Sequence, residues 1–200
     1  MAYFFRCLSL LISLLFLAAC GVPPGEGPRP ALRADVLSLT DSIQALGEDV
    51  DPGEAARAAE IALSYTYQLA QSYEITDSPL VHNIKVNRGI KPRGLCWHWA
   101  EDLEARLKAE NFTTLELHRA IANADSPILI DHSTAIISAN GADMYDGLVL
   151  DPWRKGGQLH WVGVREDTRY TWYPRLEVLK KHGRIRYASG GAVVTWAGEI

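Results

Sequence analysis

The chain has 200 residues, of which 48% are hydrophobic and 22% charged, a composition typical of one globular domain and not of fibrous or disordered chains. Its 20 basic and 24 acidic residues give a net charge of −4, which argues against the strongly basic surface of a nucleic-acid-binding domain. Its three cysteines are too few for a disulfide framework.

The first 19 residues have the features of an export signal. Arg6 is followed by an apolar run shorter than the about 20 residues of a membrane-spanning helix, and small residues precede Cys20. This pattern predicts a secretory signal peptide over residues 1–19. Its end, LAAC, resembles the lipobox of bacterial lipoproteins, in which the cysteine is lipidated and becomes the new N-terminus. The alternative is an ordinary signal peptide that happens to contain a cysteine.

The lipobox resemblance implies a protein of the bacterial cell envelope, anchored in the lipid bilayer through acylated Cys20. Gly21 resembles the sorting signal for the outer membrane, which would place the protein facing the periplasm in a Gram-negative cell. Residues 20–30 are rich in proline and glycine and are expected to form a tether beyond the lipid. Residues 31–200 are expected to form a single domain.

Apolar residues at spacings of three and four predict three helices, which we place at residues 32–46, 52–73 and 96–110. Asp51 and Pro52 are typical of a helix N-cap followed by the first turn. The Asp-Ser-Pro sequence that ends at Pro79 is expected to break the chain direction. Because residues 80–94 contain two glycines and Pro92, we expect them to be mainly loop.

From residue 113 onward the hydrophobic pattern changes to that of strands, placed at residues 113–121, 128–138, 145–150, 158–164 and 170–173, with a last strand pair within 185–196. Asn140-Gly141 is typical of a hairpin turn, so the strands on either side of it are expected to be antiparallel. Helices followed by antiparallel strands predict an α+β fold.

Cys96 lies in the stretch GLCWHWA, at the start of the third predicted helix. A helix N-terminus carries unsatisfied N–H groups and a partial positive charge, and both favour the thiolate, which is the nucleophilic form of cysteine. After signal cleavage and lipidation of Cys20, Cys96 would be the only free thiol. The alternative is a buried, inert cysteine.

A thiolate nucleophile needs a base and a group that orients the base. His132 lies in the strand before the Asn-Gly turn, and Asp151 ends the strand after it. Because adjacent strands lie about 4.8 Å apart, Asp151 could hold the second ring nitrogen of His132, as the aspartate of a Ser-His-Asp triad does. The neighbouring Asp131 would point to the opposite face of the sheet. The alternatives are a structural strand histidine and a strand-end cap.

GLCWHWA, then His132 in a strand, then LVLDPW resembles the transglutaminase-like branch of the papain-like cysteine enzymes, over roughly residues 80–155. These enzymes have a cysteine at a helix start, a histidine on one strand and an aspartate on the next, in this order. The resemblance implies a papain-like core and acyl transfer through a thioester, with Cys96 as nucleophile, His132 as base and Asp151 as the orienting residue. The sequence has no H-E-x-x-H motif and no cysteine pair, so we expect neither a metal nor another cofactor.

The sequence departs from this family at the second oxyanion donor. No tryptophan precedes Cys96, and Ile90 occupies the position where papain has a glutamine. Asn83 or Asn87 could supply the missing donor. Two aromatic residues are expected to form walls of the cleft: Trp97 and Trp153.

These features predict a lipid-anchored enzyme that attacks an amide of an envelope protein or peptide through Cys96. Transfer of the acyl group to water, as in a peptidase or amidase, is expected in preference to cross-linking, by analogy with bacterial members of the family. One alternative is a non-catalytic envelope module that binds a peptide or partner protein in the same cleft. Another is an N-acyltransferase that uses a small thioester donor.

Overall fold

The structure, a computed structural model, describes residues 27–187 and 193–195. The predicted signal peptide, Cys20 and most of the predicted tether lie outside these residues. Within the described part of the chain, no helix is both long and apolar enough to cross a membrane. Residues 27–30 of the predicted tether are described, and Pro28 among them is buried.

The described residues form five helices and seven strands. The helices are α1 (Arg33–Gln44), α2 (Pro52–Ser72), α3 (Pro79–Asn87), α4 (Cys96–Lys108) and α5 (Arg175–Lys181). The strands are β1 (Leu115–Ala122), β2 (His132–Ala139), β3 (Leu148–Asp151), β4 (His160–Gly163), β5 (Tyr173–Pro174), β6 (Ile185–Tyr187) and β7 (Val193–Thr195).

Five strands form one antiparallel sheet in the order β4-β3-β2-β1-β5, and β6 pairs with β7 in a separate antiparallel ribbon. The prediction of an α+β fold, with N-terminal helices before an antiparallel sheet, is confirmed. The predicted final strand pair is also confirmed. The connection from β2 to β3 is longer than a two-residue turn, because a short 3-10 helix at Met144–Asp146 follows Asn140-Gly141.

The sheet is buried on both faces at its centre. Helices α2 and α4 cover one face through an apolar cluster that includes Leu103, Leu107 and Ile137. Trp172 and its apolar neighbours cover the opposite face. Every residue of β2 except the last is therefore buried, including the polar His132, Ser133, Thr134 and Ser138.

The two N-terminal helices follow the sequence pattern. Leu39 and Ile43 form the fully buried side of α1. Asp51 caps α2 by accepting a hydrogen bond from the backbone N–H of Glu54 at 2.8 Å, with Pro52 in the first turn. Both predicted features of this helix start are confirmed.

The prediction that residues 80–94 are mainly loop is wrong, because Pro79–Asn87 forms helix α3. Pro79 occupies the first turn, where its missing N–H costs nothing, so it starts a helix and does not merely interrupt the chain. Leu80 and Ile84 are exposed, and His82 is the only residue of this helix that is buried. The helix therefore has no buried apolar stripe for a periodicity search to detect.

The remaining differences concern strand limits. Residues 128–131 are not a strand, and the exposed Ile128, Leu129 and Ile130 form a loop before β2. Tyr145 belongs to the 3-10 helix, and the strand predicted at 170–173 is reduced to the two-residue β5.

Helix α5 is absent from the helices that the sequence predicts. It is only seven residues long, too short to establish a clear helical period.

A buried carboxylate joins α2 to the start of the sheet. Glu54 accepts hydrogen bonds from the backbone N–H and the hydroxyl of both Thr113 and Thr114, at 2.7–3.1 Å. Burial alone would raise the pKa of Glu54, but these hydrogen bonds to the ionised form lower it to about 2. The ionised carboxylate therefore stabilises the fold.

We expect Glu54→Ala to lower the free energy of unfolding by about 2–3 kcal/mol, because it leaves buried N–H and O–H donors without an acceptor. The depressed pKa means that this stabilisation is complete above the unfolded value of about 4.3 and is lost as the pH falls towards 2. Urea unfolding at pH 7 and pH 3 measures both effects. Glu60→Ala, at an exposed position of the same helix, is the control and should change stability little.

Candidate active site

Helix α4 begins at Cys96, and several contacts fix the backbone before it. Gly94 has a φ of +121°, and a Cβ at this position would collide with the buried His82 ring, so the turn requires glycine. The indole N–H of Trp99 donates to the Gly94 carbonyl at 3.0 Å. These contacts define the position of the Cys96 side chain at the helix start.

His98 holds the same turn from inside the helix. Its Nδ1 accepts hydrogen bonds from the backbone N–H groups of Gly94 and Leu95, at 3.1 and 3.2 Å. Burial, with a smaller contribution from the charge of Arg93, lowers the pKa of His98 to about 4. His98 is therefore neutral at pH 7, as an acceptor of two N–H groups must be.

His132 and Asp151 form a buried hydrogen-bonded pair at the ends of β2 and β3. The His132 Nε2–H donates to Asp151 Oδ2 at 2.7 Å, and each side chain is 1% exposed. Ala135 lies opposite Leu150 in the antiparallel pairing of β2 with β3. Counted along both strands from this pair, Asp151 is the diagonal neighbour of His132 on the same face of the sheet. The antiparallel pairing thus brings together two of the residues singled out in the sequence.

Cys96 approaches the same imidazole ring. Its thiol lies 3.6 Å from the carbonyl oxygen of Asp131, and its side chain is one of the groups that raise the pKa of His132. The Asp131 carboxylate itself pairs with Arg184 and does not compete for the ring. Among the described residues, no hydrogen-bond partner satisfies the buried Nδ1 of His132. This nitrogen is therefore the one left to exchange a proton with the thiol.

The charges of the pair are mutually stabilised. Burial alone would lower the pKa of His132, but the charge and hydrogen bond of Asp151, and then the Cys96 side chain, raise it above its ordinary value. Burial alone would raise the pKa of Asp151, but His132 and Arg154 hold it well below its usual range. The favoured state is an imidazolium–carboxylate pair.

Two further charged residues extend this pair and were missed in the sequence. Arg154 donates from Nε to Asp151 Oδ2 at 2.9 Å and from its other nitrogens to Asp167 at 2.6 and 3.1 Å. The indole N–H of Trp172 donates to Asp167 at 2.9 Å. A basic residue three positions after Asp151 is a weak local signal for Arg154, whereas no local pattern marks Asp167.

Aromatic rings enclose His132. The ring centroids of Trp153, Tyr170 and Trp172 lie 4.7, 4.6 and 5.3 Å from the imidazole. Such packing restricts rotation of the ring and excludes water from the ion pair. Trp153 thus lies beside His132, as expected of a cleft wall.

The other sequence candidates lie at different distances from this centre. Asn83 on α3 accepts a hydrogen bond from the Trp153 indole at 3.0 Å, which leaves its amide N–H groups as donors. Asn87 is exposed one turn further along the helix. Trp97 packs against His98 in a tilted arrangement with ring centroids 3.9 Å apart, beside Arg93, and makes no ring contact with His132.

A cavity of about 400 Å³ opens beside this centre. Trp153 and Tyr170, two of the rings that contact His132, form part of its wall. Its apolar rim consists of Leu80 from α3 and Leu129 and Ile130 from the loop before β2. A ligand in this cavity would lie against the aromatic enclosure of His132.

Comparisons of the chain with family models, with curated proteins and with solved structures find no match. A functional assignment must therefore come from the chemistry of the site. Within residues 27–187 and 193–195, no group of three or more His, Cys, Asp or Glu side chains could hold a metal ion. The chemistry available at the site is that of a thiol beside a charged histidine–aspartate pair.

We expect Asp151→Asn to lower the pKa of His132, because burial is then opposed only by the smaller effect of the Cys96 side chain. NMR titration of the imidazole nitrogens should show His132 charged at pH 7 in the wild type and neutral in the variant. Asp146→Asn, which removes an exposed carboxylate paired with Arg165, is the control and should leave this titration unchanged. Identical His132 titrations in the wild type and Asp151→Asn would contradict the assignment of the ion pair.

The same pair makes stability depend on pH. The raised pKa of His132 stabilises the fold below its unfolded value of about 6.5, and this contribution is lost as the pH rises through the folded value. The lowered pKa of Asp151 stabilises the fold above about 3.9 and is lost at lower pH. The stability difference between wild type and Asp151→Asn should therefore be largest between these two values and shrink towards alkaline pH.

Proposed function

We propose that the protein is a cysteine enzyme that cleaves an amide through a thioester, with Cys96 as nucleophile, His132 as acid and base, and Asp151 as the orienting residue. The observation that carries this proposal is the buried, charged His132–Asp151 pair with a helix-start thiol beside the ring. A second buried ion pair, with Arg154, helps to hold the Asp151 carboxylate ionised.

The proposed reaction has two stages. The Cys96 thiolate attacks the amide carbon, and collapse of the tetrahedral adduct breaks the C–N bond while the imidazolium gives its Nδ1 proton to the leaving amine. Water then attacks the thioester as Nδ1 takes a proton from it, which releases the acid and restores the thiolate–imidazolium state. Asp151 keeps Nε2 engaged throughout, so that Nδ1 remains the nitrogen that exchanges protons.

The oxyanion of the adduct needs donors. The backbone N–H groups of Cys96 and Trp97 are available there, because the first N–H groups of a helix have no intrahelical acceptor, whereas those of His98 and Trp99 donate to the Leu95 carbonyl. Asn83 is the better of the two side-chain candidates, since the Trp153 indole fixes its amide with the N–H groups unused. Asn87 is exposed and has no comparable anchor.

The proposal includes the finer fold assignment and the location. The order Cys96, His132, Asp151, with the cysteine at a helix start and the other two on paired antiparallel strands, supports a papain-like, transglutaminase-like core. The signal peptide, acylated Cys20 and cell-envelope location rest on residues 1–26, which lie outside the described residues. Anchored in the bilayer, the enzyme would act on protein or peptide amides of the envelope.

A binding module is the second candidate, and one observation favours it. Cys96 is only 7% exposed, so a substrate carbonyl reaches the thiol only through a narrow opening. In that case the apolar cavity would hold a peptide or partner protein without chemistry. Reactivity of the thiol distinguishes the two candidates.

We expect iodoacetamide to alkylate Cys96 rapidly near pH 6 in the wild type, and at least about tenfold more slowly in His132→Ala, because the imidazolium that stabilises the thiolate is lost. Mass spectrometry of the tryptic peptide of residues 94–106 reports Cys96 separately from Cys7 and Cys20. His118→Ala, which removes a histidine bonded to Ser138, is the matched control and should react like the wild type. Slow labelling that His132→Ala does not change would favour the binding module.

The choice between water and amine as acceptor is tested by product analysis. We expect a mixed peptide library in ¹⁸O-labelled water to gain labelled carboxyl termini, with few adducts when a fluorescent primary amine is added. Cys96→Ser should abolish both products. Adducts that dominate over labelled termini would instead assign the protein as a cross-linker.

A further inference from the structure

The apolar cavity beside His132 has a cation at its edge that forms no ion pair with a described residue. Arg169 is exposed, lines this cavity, and has no carboxylate within ion-pairing distance among the described residues. Arg154, which lines the same cavity, is instead bound to both Asp151 and Asp167. Of these two guanidinium groups, that of Arg169 therefore contacts Tyr170 but has no carboxylate partner in the described part of the chain, so its charge remains available to an anionic group.

The position of Arg169 is fixed relative to the reactive centre. Its backbone N–H donates to Asp167 at 3.0 Å, and its guanidinium carbon lies 5.5 Å from the Tyr170 ring centroid. The His132 ring lies 4.6 Å from the same centroid. The guanidinium and the imidazole are thus separated by no more than these two distances together, which about three residues of extended peptide can span.

The rim of the cavity is suited to an aliphatic group. Leu80, Leu129 and Ile130 are 59%, 56% and 45% exposed, and all three line the cavity. Exposed apolar side chains gathered at one cavity are typical of a ligand-binding surface. They come from two separate parts of the chain, helix α3 and the loop before β2, so the cavity can enclose a side chain from two sides.

Arg169 also borders a second cavity, of about 440 Å³, which shares Asn123 and Arg169 with the first. The lining of this second cavity is more polar and includes Asp125, which is paired with Lys181 and His182. The two cavities therefore adjoin at Asn123 and Arg169.

We propose that the site selects a peptide segment in which an aliphatic side chain enters the apolar cavity and a carboxylate within about three residues binds Arg169. Only the cleavage of the bound peptide rests on the proposed function, because cleavage requires Cys96. Recognition of the peptide by Arg169 requires only the two cavities.

The test measures binding separately from cleavage. The full chain with Cys96→Ser is titrated with fluorescein-labelled alanine peptides that carry one leucine and one glutamate, placed one to four residues to either side of the leucine. Each peptide is matched by one with glutamine in place of glutamate. Fluorescence anisotropy should show, for at least one spacing, binding about tenfold tighter with glutamate, the effect expected of one hydrogen-bonded charge pair.

Arg169→Gln in the same protein should abolish this preference, and Arg169→Glu should reverse it in favour of peptides with lysine. Arg165→Gln is the matched control: Arg165 also lies over a tyrosine and is exposed, but it pairs with Asp146 and lines neither cavity. Equal binding of the glutamate and glutamine peptides at every spacing, or no binding at all, would overturn the proposal, as would a preference that survives Arg169→Gln.

Cleavage of the same peptides by the chain with Cys96 present is measured in parallel. Binding that depends on Arg169 without cleavage would sustain the selectivity proposal while the enzymatic function fails. Cleavage without discrimination between glutamate and glutamine would sustain the enzymatic function while the selectivity proposal fails. The two proposals are thus separable by one set of peptides.

Discussion

The candidate site depends on a row of four buried charges, His132, Asp151, Arg154 and Asp167, each hydrogen-bonded to the next. Removing an unpaired charge from water costs several kcal/mol, so each group is tolerated because its neighbour neutralises it. Two cations balance two anions only when His132 is protonated. Cys96 then lies beside an imidazolium and at a helix N-terminus, both of which carry positive charge.

The parts of this arrangement that the sequence predicts are those set by local patterns. Apolar spacing determines α1 and α2, and Asp51-Pro52 marks a helix start because the cap and the first turn are contacts between near neighbours. His132 and Asp151 could be paired in advance because one antiparallel connection, around Asn140-Gly141, links their strands. The small error in the predicted strand limits did not affect the pairing of these two residues, because diagonal neighbours on the same face of a sheet are still in contact.

The parts that the sequence does not predict depend on contacts between distant segments. Helix α3 exposes Leu80, and the reason for this is visible only when the loop before β2 lies across from it at one cavity. The Arg154–Asp167 pair requires the segment after β4 to fold back over the sheet, which no periodicity encodes. The same is true of Tyr170, whose contact with His132 is unrelated to its neighbours in sequence.

The fold-back of Asp167 and Trp172 onto the sheet also determines when the site can form during synthesis. A chain is made from its N-terminus, so Cys96, His132 and Asp151 all emerge before the segment that completes their surroundings. Until that segment closes a long loop onto the sheet, Arg154 lacks its second carboxylate and the imidazole lacks two of its three aromatic neighbours. The nascent protein therefore passes through synthesis with an incomplete centre, which is assembled only when folding is complete.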